Sequence, residues 1–578
     1  MHVASSVEQT CVPLHSKSRY SLSNSTAALK LYNRGVRTRL WLRRFTSWLL
    51  SFMLLGAWAE VRPQATQPPG AESKQPGGHV VLVFPFDNRS AETNLNWIGD
   101  SFPDTLNQRL SSAGFLTITR DDRLFALDHL GLPPTLRPTR ATTIRIAQTL
   151  DADYVIVGSY KIQGSRILVQ AQVLEVDKLR LSTPLEDSSE LARLLDIENA
   201  VAWKVARQID PQFPVAQQTF LAASAGVRLS AFESYIRGTD ATSPAERVKR
   251  LQTAVGESPR YAAAELALGK QLYADREYDQ AAAVLAKVQP TSRLALEANF
   301  YLGLARFNAA KYADAANAFG FVASRLPLPE VVNDEGVAQA RQGKDGTALF
   351  QRAANTDPND PDYRYNLAVS HFRHGDLAGA QREIDQALKL RATDTEAAAL
   401  KARIAQGKAS DSVAKTSTSD FDPMERLRRT YSEAGFRQAA FQLDQVRAIR
   451  LSTLPASEQA AEYTTLGRDY LRQGLLPEAE REFHAALLAD PHSGAGHAGL
   501  AQVREQSGDG AEARAEAQAS LNVSPNAAAY LVLARVALAK NDLGAAAASV
   551  RDALHLEPTN TAAMGLRTAL TARGQSLP

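Results

Sequence analysis

The sequence is poor in the residues that build covalent or metal-bound sites. Among its 578 residues there is one cysteine, Cys11, which excludes an internal disulfide framework and any zinc or iron–sulfur site held by cysteines. The 65 basic and 62 acidic residues leave a net charge of +3, which gives no reason to expect nucleic acid as a partner. Nucleophile-elbow, phosphate-loop and His-Glu-x-x-His patterns are missing, so we expect neither an enzyme nor a cofactor.

The positive charge is concentrated in a leader. Residues 1–59 carry a net charge of +7, and the apolar run 45–59 follows Arg43-Arg44 directly and ends in Ala57-Trp58-Ala59. The order basic, apolar, small-x-small is typical of a secretory signal. As a helix this run would span about 22 Å, short of the roughly 30 Å hydrocarbon core of a bilayer. We therefore expect a cleaved signal and a periplasmic or otherwise extracytoplasmic protein; the alternative is an uncleaved inner-membrane anchor.

The leader is also long for a signal, whose total length is usually about 15 to 30 residues. A translation start near Val36 would give an ordinary length, so we expect the true start downstream of Met1. Residues 60–78 are rich in Pro, Gln and Gly, a composition that predicts a disordered linker. Without the leader, the remaining chain carries a net charge of −4.

Residues 79–212 alternate between strand-like and helix-like patterns. The β-branched run 79–86 predicts a buried strand, and Trp97, Phe102 and Leu106 recur at helical spacing. Runs 154–162 and 166–176 flank a short Gly-containing turn, which predicts a hairpin, and a closing helix is expected over 190–208. This order predicts a small α/β domain with a mixed sheet.

From about residue 228 a pattern of small and large apolar residues repeats. Its clearest copies close at Pro491, Pro525 and Pro558, which are 34 and then 33 residues apart. One such unit cannot bury its apolar face alone, so neighbouring units must stack. The pattern therefore predicts an all-α superhelix, in two blocks over 228–404 and 423–578, with a polar linker at 405–422 between them.

The repeat resembles the tetratricopeptide repeat, a helix–turn–helix unit of 34 residues. The resemblance implies an α-solenoid whose concave surface binds other proteins or peptides. In that family, positions 2, 5, 9, 12 and 13 of the first helix usually face this surface. Carried over to this sequence, they give the candidate partner-binding residues Lys270, Tyr273, Phe307, Asn308, Tyr365, Phe372, Arg373, Arg468, Arg472 and Arg535. Packing between repeats is the alternative for Tyr273, Phe307 and Phe372.

The first domain also resembles a known family. The residues that carry the resemblance are Val81 to Ser90, Trp97-Ile98-Gly99, Arg120-Asp121-Asp122-Arg123 and Ala152-Asp153, in this order. They resemble the TolB amino-terminal domain and the related FlgO and CsgG-like envelope domains. The resemblance implies a small α/β fold, a periplasmic or outer-membrane location and an association role, and it brings no catalytic residues.

Three further motifs have ordinary structural explanations. The glycine pattern 494–499 fits a dinucleotide loop but follows no predicted strand. His371 and His374 have the spacing of metal ligands on one helix face but lack a third ligand. The acid pairs at 121–122 and at 151 and 153 are expected to cap helices or shape turns rather than to serve acid–base chemistry.

Together these features predict a non-enzymatic, exported envelope scaffold that binds protein partners through the repeat groove and the first domain. The alternative is a membrane-anchored signalling or regulatory protein, with residues 1–44 in the cytoplasm and an extracytoplasmic ligand-sensing domain. Any membrane contact would come through residues 45–59. The sequence leaves the partner and the oligomeric state open.

Overall fold

The computed structural model of the chain describes residues 78–133, 138–222, 226–406, 422–429 and 433–577. The leader 1–59, its apolar run 45–59 and the linker up to residue 77 lie outside these residues. Residues 75–578 form one compact unit. Among the helices of the described ranges, none is long and apolar enough to cross a bilayer.

The first part of this unit is an α/β domain with a seven-stranded mixed sheet. Its elements are β1 (Val80–Val83), β2 (Asp87–Asn88), α1 (Trp97–Ser112), β3 (Leu116–Thr117), α2 (Arg120–His129), α3 (Arg140–Thr149), β4 (Tyr154–Gln163), β5 (Arg166–Glu175), β6 (Arg180–Leu181), β7 (Leu185–Glu190) and α4 (Leu194–Ile209). The sheet runs β3-β1-β4-β5-β6, with β2 beside β4 and β7 beside β5. Strand β1 is parallel to β3 and β4, whereas β4 and β5 are antiparallel.

Helices cover both faces of this sheet. Along β1, Val81 and Val83 belong to the apolar core shared with α1 and α4, while Leu82 belongs to the core shared with α2 and α3. Alternate residues of a strand point to opposite faces, so a strand buried on both sides reads as a continuous apolar run. The α/β class with a mixed sheet is confirmed.

The strand predictions succeed where the signal is local. Gln163 pairs with Arg166 across the two-residue turn, and Gly164 adopts a φ of 62°, so the predicted hairpin is confirmed. The first strand ends at Val83 rather than at residue 86, because Pro85 has no N–H to donate to a neighbouring strand. Strand β7 was not predicted, because its sequence is polar and lacks the apolar run of a buried strand. Only one of its faces is covered, by α4.

The rest of the described chain is helical. Its helices are α5 (Gln217–Ala222), α6 (Leu229–Asp240), α7 (Pro244–Glu257), α8 (Ala262–Ala274), α9 (Tyr278–Leu285), α10 (Ala295–Asn308), α11 (Tyr312–Ala323), α12 (Pro329–Ala340), α13 (Thr347–Thr356), α14 (Pro361–Arg373), α15 (Leu377–Leu390), α16 (Thr395–Ala405), α17 (Glu433–Leu451), α18 (Ala456–Arg472), α19 (Leu476–Ala489), α20 (Gly494–Gln506), α21 (Gly510–Val523), α22 (Ala527–Ala539), α23 (Leu543–Leu556) and α24 (Thr561–Ala572).

Most of these helices pack as antiparallel pairs, for example α10 with α11 and α18 with α19. Small residues make the close approach within a pair: a Cβ on Gly303 would lie 2.6 Å from the Phe319 ring, and one on Gly467 would lie 2.7 Å from the Phe483 ring. First helices of successive units also touch, as α8 and α10 do, so they share one side of the stack. The predicted helical superhelix is confirmed.

The boundary of the second block differs from the prediction. Residues 422–429 have no helical backbone, and the helices resume at Glu433 rather than at residue 423. This segment packs against the first block, where Asp394 and Glu396 receive the Arg426 side chain. Its sequence lacks the apolar periodicity of a repeat helix, and its Arg426 and Arg428 side chains pair with acids of the first block.

The domain and the two blocks are joined by specific contacts. Trp97 of α1 packs edge-to-face on Phe232 of α6, with ring centroids 6.2 Å apart. The second block returns to the domain boundary through Glu480 of α19, whose carboxylate accepts the backbone N–H of Ala216 at 2.9 Å and pairs with Arg504 at 2.7 Å. These contacts hold the first and last parts of the compact unit together.

Candidate functional site

The first helical block carries an occupied groove. Residues 422–429, here called the strap, run in a non-helical conformation across the first helices of three successive units, α12, α14 and α16. The surface of these helices beneath the strap is here called the groove. Because first helices line one side of the stack, the groove is the position at which a repeat superhelix holds an extended peptide.

Side chains of the groove form hydrogen bonds with the main chain of the strap. Asn366 of α14 exchanges two hydrogen bonds with Arg426: its amide donates to the carbonyl at 2.8 Å, and its carbonyl accepts the N–H at 2.7 Å. Asn333 of α12 donates to the same carbonyl at 3.0 Å, and Asp334 accepts the N–H of Arg428 at 2.7 Å. These bonds hold an extended backbone whatever its side chains are.

A carboxylate pocket holds the Arg426 guanidinium. Its two Nη atoms donate to the two oxygens of Asp394 at 2.6 and 2.7 Å, and further bonds of 2.8 Å reach Asp362 and Glu396. The guanidinium also lies 3.8 Å from the centre of the Tyr365 ring. A planar, forked cation fits a carboxylate fork and an aromatic face together, which an ammonium group does not.

The charges in this pocket stabilise one another. Burial would lower the pKa of Arg426, but the hydrogen bonds that it donates to Asp394 and Asp362 raise that pKa above its ordinary value. Burial would raise the pKa of Asp394, but hydrogen bonds from Arg426 and from the Ala397 N–H hold that pKa below its ordinary value. The pocket is therefore ionic at neutral pH.

Two neighbouring contacts complete the grip on the strap. Arg428 pairs with Asp360, and its guanidinium lies 5.4 Å from the Tyr363 ring. Glu425, which is buried, accepts a hydrogen bond from Arg373 at 2.6 Å. The groove thus takes a glutamate and then two arginines separated by one residue.

Helix capping explains why acids lie at this surface. Asp360 and Asp394 are the N-cap residues of α14 and α16, and their side chains accept the N–H groups of Asp362 at 2.8 Å and Ala397 at 3.0 Å. An N-cap carboxylate stabilises the helix start through these bonds. Here the same carboxylates also bind arginines of the strap.

Family models match both blocks. Residues 338–404 match one model of the tetratricopeptide repeat, and residues 464–525 and 506–563 match another. The helical pairs within these ranges are tetratricopeptide repeats. The first match includes α14 and most of α16, whereas Asn333 and Asp334 of α12 precede it. No curated protein matches the chain.

Solved structures match parts of the chain. The LpoB C-terminal domain from Escherichia coli is 26% identical over 21% of this chain and 89% of that chain, with a TM-score of 0.19. MamA 41-end from Desulfovibrio magneticus RS-1 is 19% identical over 29% and 99%, with a TM-score of 0.27. YrrB, described as a TPR protein with an unusual peptide-binding site, is 14% identical over 36% and 99%, with a TM-score of 0.27. These scores are too low to carry a functional argument.

Two residues selected from the sequence lie directly at the strap. Tyr365 is only 1% exposed and is covered by the Arg426 guanidinium. Arg373 donates to Glu425 and, at 2.8 Å, to the carbonyl of Pro423. The structure therefore brings both residues to a peptide segment of the same chain, and their role toward another protein stays a prediction.

The other five candidates of the first block are placed differently. Lys270 pairs with Glu297 at 2.7 Å, and Tyr273 packs on other tyrosines, including Tyr301 at 5.9 Å between ring centroids. Phe307 packs edge-to-face on Tyr312, and Asn308 donates to the carbonyl of Leu304 at 2.8 Å. Phe372 is fully buried against residues of α15 and α16, so its selection as a surface residue was wrong: its ring fills the seam between helices.

The three candidates of the second block lie apart from the groove. Arg468 is exposed, Arg472 pairs with Asp469 one turn earlier, and Arg535 pairs with Glu505 at 3.0 Å. The structure does not bring them together with the candidates of the first block.

Sequence reasoning missed the residues that grip the strap most closely. Asn333, Asn366, Asp394 and the strap itself carried no repeat signal. Asp362 was within reach, since it occupies position 2 of the unit in which Tyr365 occupies position 5. Together with the helix-capping acids Asp360 and Asp394, Asp362 would have indicated an acidic pocket on the first helices of these repeats.

The remaining motifs have structural roles. Glycine 499 of the 494–499 pattern packs in a helix, where a Cβ would lie 2.2 Å from the Phe483 ring. His371 faces Asp376 at 3.0 Å, and Asp122 forms a capping box with Thr119. Within the described part of the chain, no group of three or more His, Cys, Asp or Glu side chains is placed to hold a metal ion.

Proposed function

We propose that this chain is a non-catalytic scaffold that works outside the cytoplasm and binds an extended segment of a protein partner in the groove. The observation that carries the proposal is the set of hydrogen bonds from Asn333 and Asn366 to a peptide main chain. Such bonds serve any extended segment, while the flanking acids select its side chains. Tetratricopeptide repeats in both blocks support a role in protein binding.

The α/β domain is the proposed second association surface. Its resemblance to the TolB amino-terminal domain and to FlgO and CsgG-like domains supports a role in the bacterial envelope. The basic leader followed by the apolar run 45–59 supports export. In this view the repeats hold one partner and the domain holds another.

The binding part of the proposal is tested by capture from envelope extract of the source cells. We expect the double variant Asn366→Ala, Asp394→Asn to retain at least tenfold less partner than the unmodified chain, because both main-chain and arginine contacts are lost. The matched control is Asp385→Asn, Lys389→Ala, which changes exposed residues of α15. Equal capture by both variants, with unchanged circular dichroism, would contradict binding in the groove.

Export is tested separately by amino-terminal sequencing of the native protein. We expect Glu60 to be the first residue after cleavage of the leader. A native protein that retains residues 45–59 would contradict cleavage and favour the membrane-anchored alternative.

A further inference from the structure

The strap fills the groove as a ligand would. It belongs to neither helical block: helix α16 ends at Ala405 before it, and helix α17 begins at Glu433 after it. Side chains of the groove form hydrogen bonds with its main chain at residues 423, 425, 426 and 428. The strap is therefore not part of any repeat, and the groove is formed by the repeats alone.

We propose that the strap is an internal substitute for a partner segment, and that the groove exchanges it for an extended peptide of another protein in which an acidic residue precedes an Arg-x-Arg pair. This inference rests on the proposed function and adds the chemistry of the partner. The occupant is a protein segment, because side chains of the groove form hydrogen bonds with main-chain N–H and carbonyl groups of the strap.

The first Arg of the pair is set by geometry. Asp394 accepts two parallel N–H groups, Asp362 and Glu396 accept others, and Tyr365 covers one face of the guanidinium. Lysine could satisfy the charge but not the fork or the stacking. The pocket therefore selects arginine rather than any basic residue.

The flanking positions are set by charge. Arg373 and Arg341 face the strap at Glu425, with Arg373 at 2.6 Å and Arg341 at 3.9 Å from its carboxylate oxygens. Asp360 faces Arg428 two residues further along. A partner segment with an acid before the Arg-x-Arg pair matches this order of charges, and a segment with the order reversed does not.

The contacts between the strap and the groove allow the strap to be exchanged for another peptide. Pro423 is buried and Leu427 packs at the edge of the core of the first block, whereas the Met424 side chain is 53% exposed and the other contacts of the strap are polar. Segments with few buried apolar contacts open at a low free-energy cost compared with global unfolding. The 16 residues between Ala405 and Asp422 are mostly polar and small.

Attachment also makes the strap an inhibitor. A tethered segment competes at an effective concentration on the order of millimolar, so a free peptide of the same sequence binds the intact chain weakly. Weakening the strap should raise the apparent affinity for a free peptide, because the fraction of chains with an open groove increases.

The test uses the full chain and a fluorescent peptide with the sequence of residues 421–430, Phe-Asp-Pro-Met-Glu-Arg-Leu-Arg-Arg-Thr. The strap variant is Arg426→Ala, Arg428→Ala, and fluorescence anisotropy measures peptide binding. We expect the strap variant to bind the peptide at least tenfold more tightly than the unmodified chain. Adding Asn366→Ala to the strap variant should reverse this gain, and a peptide with lysine in place of Arg426 and Arg428 should bind at least tenfold more weakly.

Several results would overturn the inference. Equal binding to the strap variant and to the unmodified chain would show that the strap does not compete. Loss of helical circular dichroism in the strap variant would show that residues 422–429 are a permanent brace of the fold. Groove-dependent capture of a partner without an acid and an Arg-x-Arg pair would overturn this inference while leaving the scaffold proposal standing.

Discussion

Two regions of the molecule bury carboxylates and treat them in opposite ways. In the groove, Asp394 faces the Arg426 guanidinium, and its pKa lies below the ordinary value. Where α1, α4 and α6 meet, Glu198 is fully buried and receives hydrogen bonds from the Ser101 and Thr105 hydroxyls. Burial raises the pKa of Glu198 to about 8, despite these hydroxyl groups.

The difference teaches that the partner decides the state of a buried acid. Hydroxyl groups satisfy a carboxyl group without compensating its charge, so desolvation favours the protonated form. A bidentate guanidinium compensates the charge, and the carboxylate stays ionised. Asp334 supports this rule within the groove itself: it receives N–H groups from Asn333 and Arg428, and burial raises its pKa well above the ordinary value.

The largest expected effect on stability is at Glu198, where α1, α4 and α6 meet. Because the folded pKa of Glu198 is about 8 and the pKa of an unfolded Glu is about 4.3, the chain loses stability as pH rises between these values. Glu198→Gln removes this loss. We expect it to stabilise the chain by on the order of 3 kcal/mol at pH 8 and by less than about 1 kcal/mol at pH 5.

Urea unfolding at the two pH values measures this change. The control is Glu190→Gln on β7, whose side chain is exposed and which should shift the midpoint at neither pH. An equal gain from Glu198→Gln at pH 5 and pH 8 would show that Glu198 is already ionised in the folded chain.

In the groove, neutralising a buried acid should lower stability instead of raising it. Asp394→Asn removes the fork that holds Arg426, and we expect a local loss of about 1 to 3 kcal/mol. This corresponds to roughly 5- to 150-fold faster hydrogen exchange in residues 422–429. Since the pKa of Asp394 is lowered, its contribution is present above the unfolded value of about 3.9 and is lost as pH falls through the folded pKa.

Hydrogen exchange corrected for intrinsic rates should therefore show the same loss at pH 5 and pH 8. Asp385→Asn is the matched control, because Asp385 forms an exposed pair with Lys401 at 2.7 Å. If Asp385→Asn opens the strap as much as Asp394→Asn does, the specific role of the fork is refuted.

A smaller effect on stability is expected at the contact between Tyr235 of α6 and Asp104 of α1. The Tyr235 hydroxyl donates to Asp104 at 2.8 Å, and burial raises the pKa of Asp104 to about 6. Tyr235→Phe removes this donor, which should cost about 1 kcal/mol and raise the pKa of Asp104 further. A melting-temperature series between pH 5 and pH 8 should show a loss that grows with pH; a loss independent of pH would argue for a packing effect alone.

The smallest effect is expected in the second block. Arg468 is exposed, and Arg472 forms an exposed pair with Asp469 within one helix. Such pairs contribute little, so Arg468→Ala and Arg472→Ala should each change the unfolding free energy by less than about 0.5 kcal/mol. A larger change in the unfolding midpoint would indicate that these arginines hold a contact comparable to those of the groove.

The architecture followed from local patterns. The hairpin of β4 and β5 was predictable because its two apolar runs flank a glycine turn. The repeats were predictable because each unit places small residues such as Gly303 and Gly467 opposite large rings. The residues that pack together lie within a single repeat or hairpin. The same packing requirement recurs in each repeat, so the pattern recurs as well.

The groove depended on contacts between distant parts of the chain. Asn333, Asn366 and Asp394 lie 93, 60 and 32 residues from the strap residue Arg426 that they contact. No local spacing records that proximity, since it arises when three repeats stack and a later segment returns across them. Local periodicity therefore predicted a stack of repeats, and the resemblance to the tetratricopeptide repeat implied that its surface binds proteins. The stacking of the repeats set which side chains form the pocket and which segment occupies it.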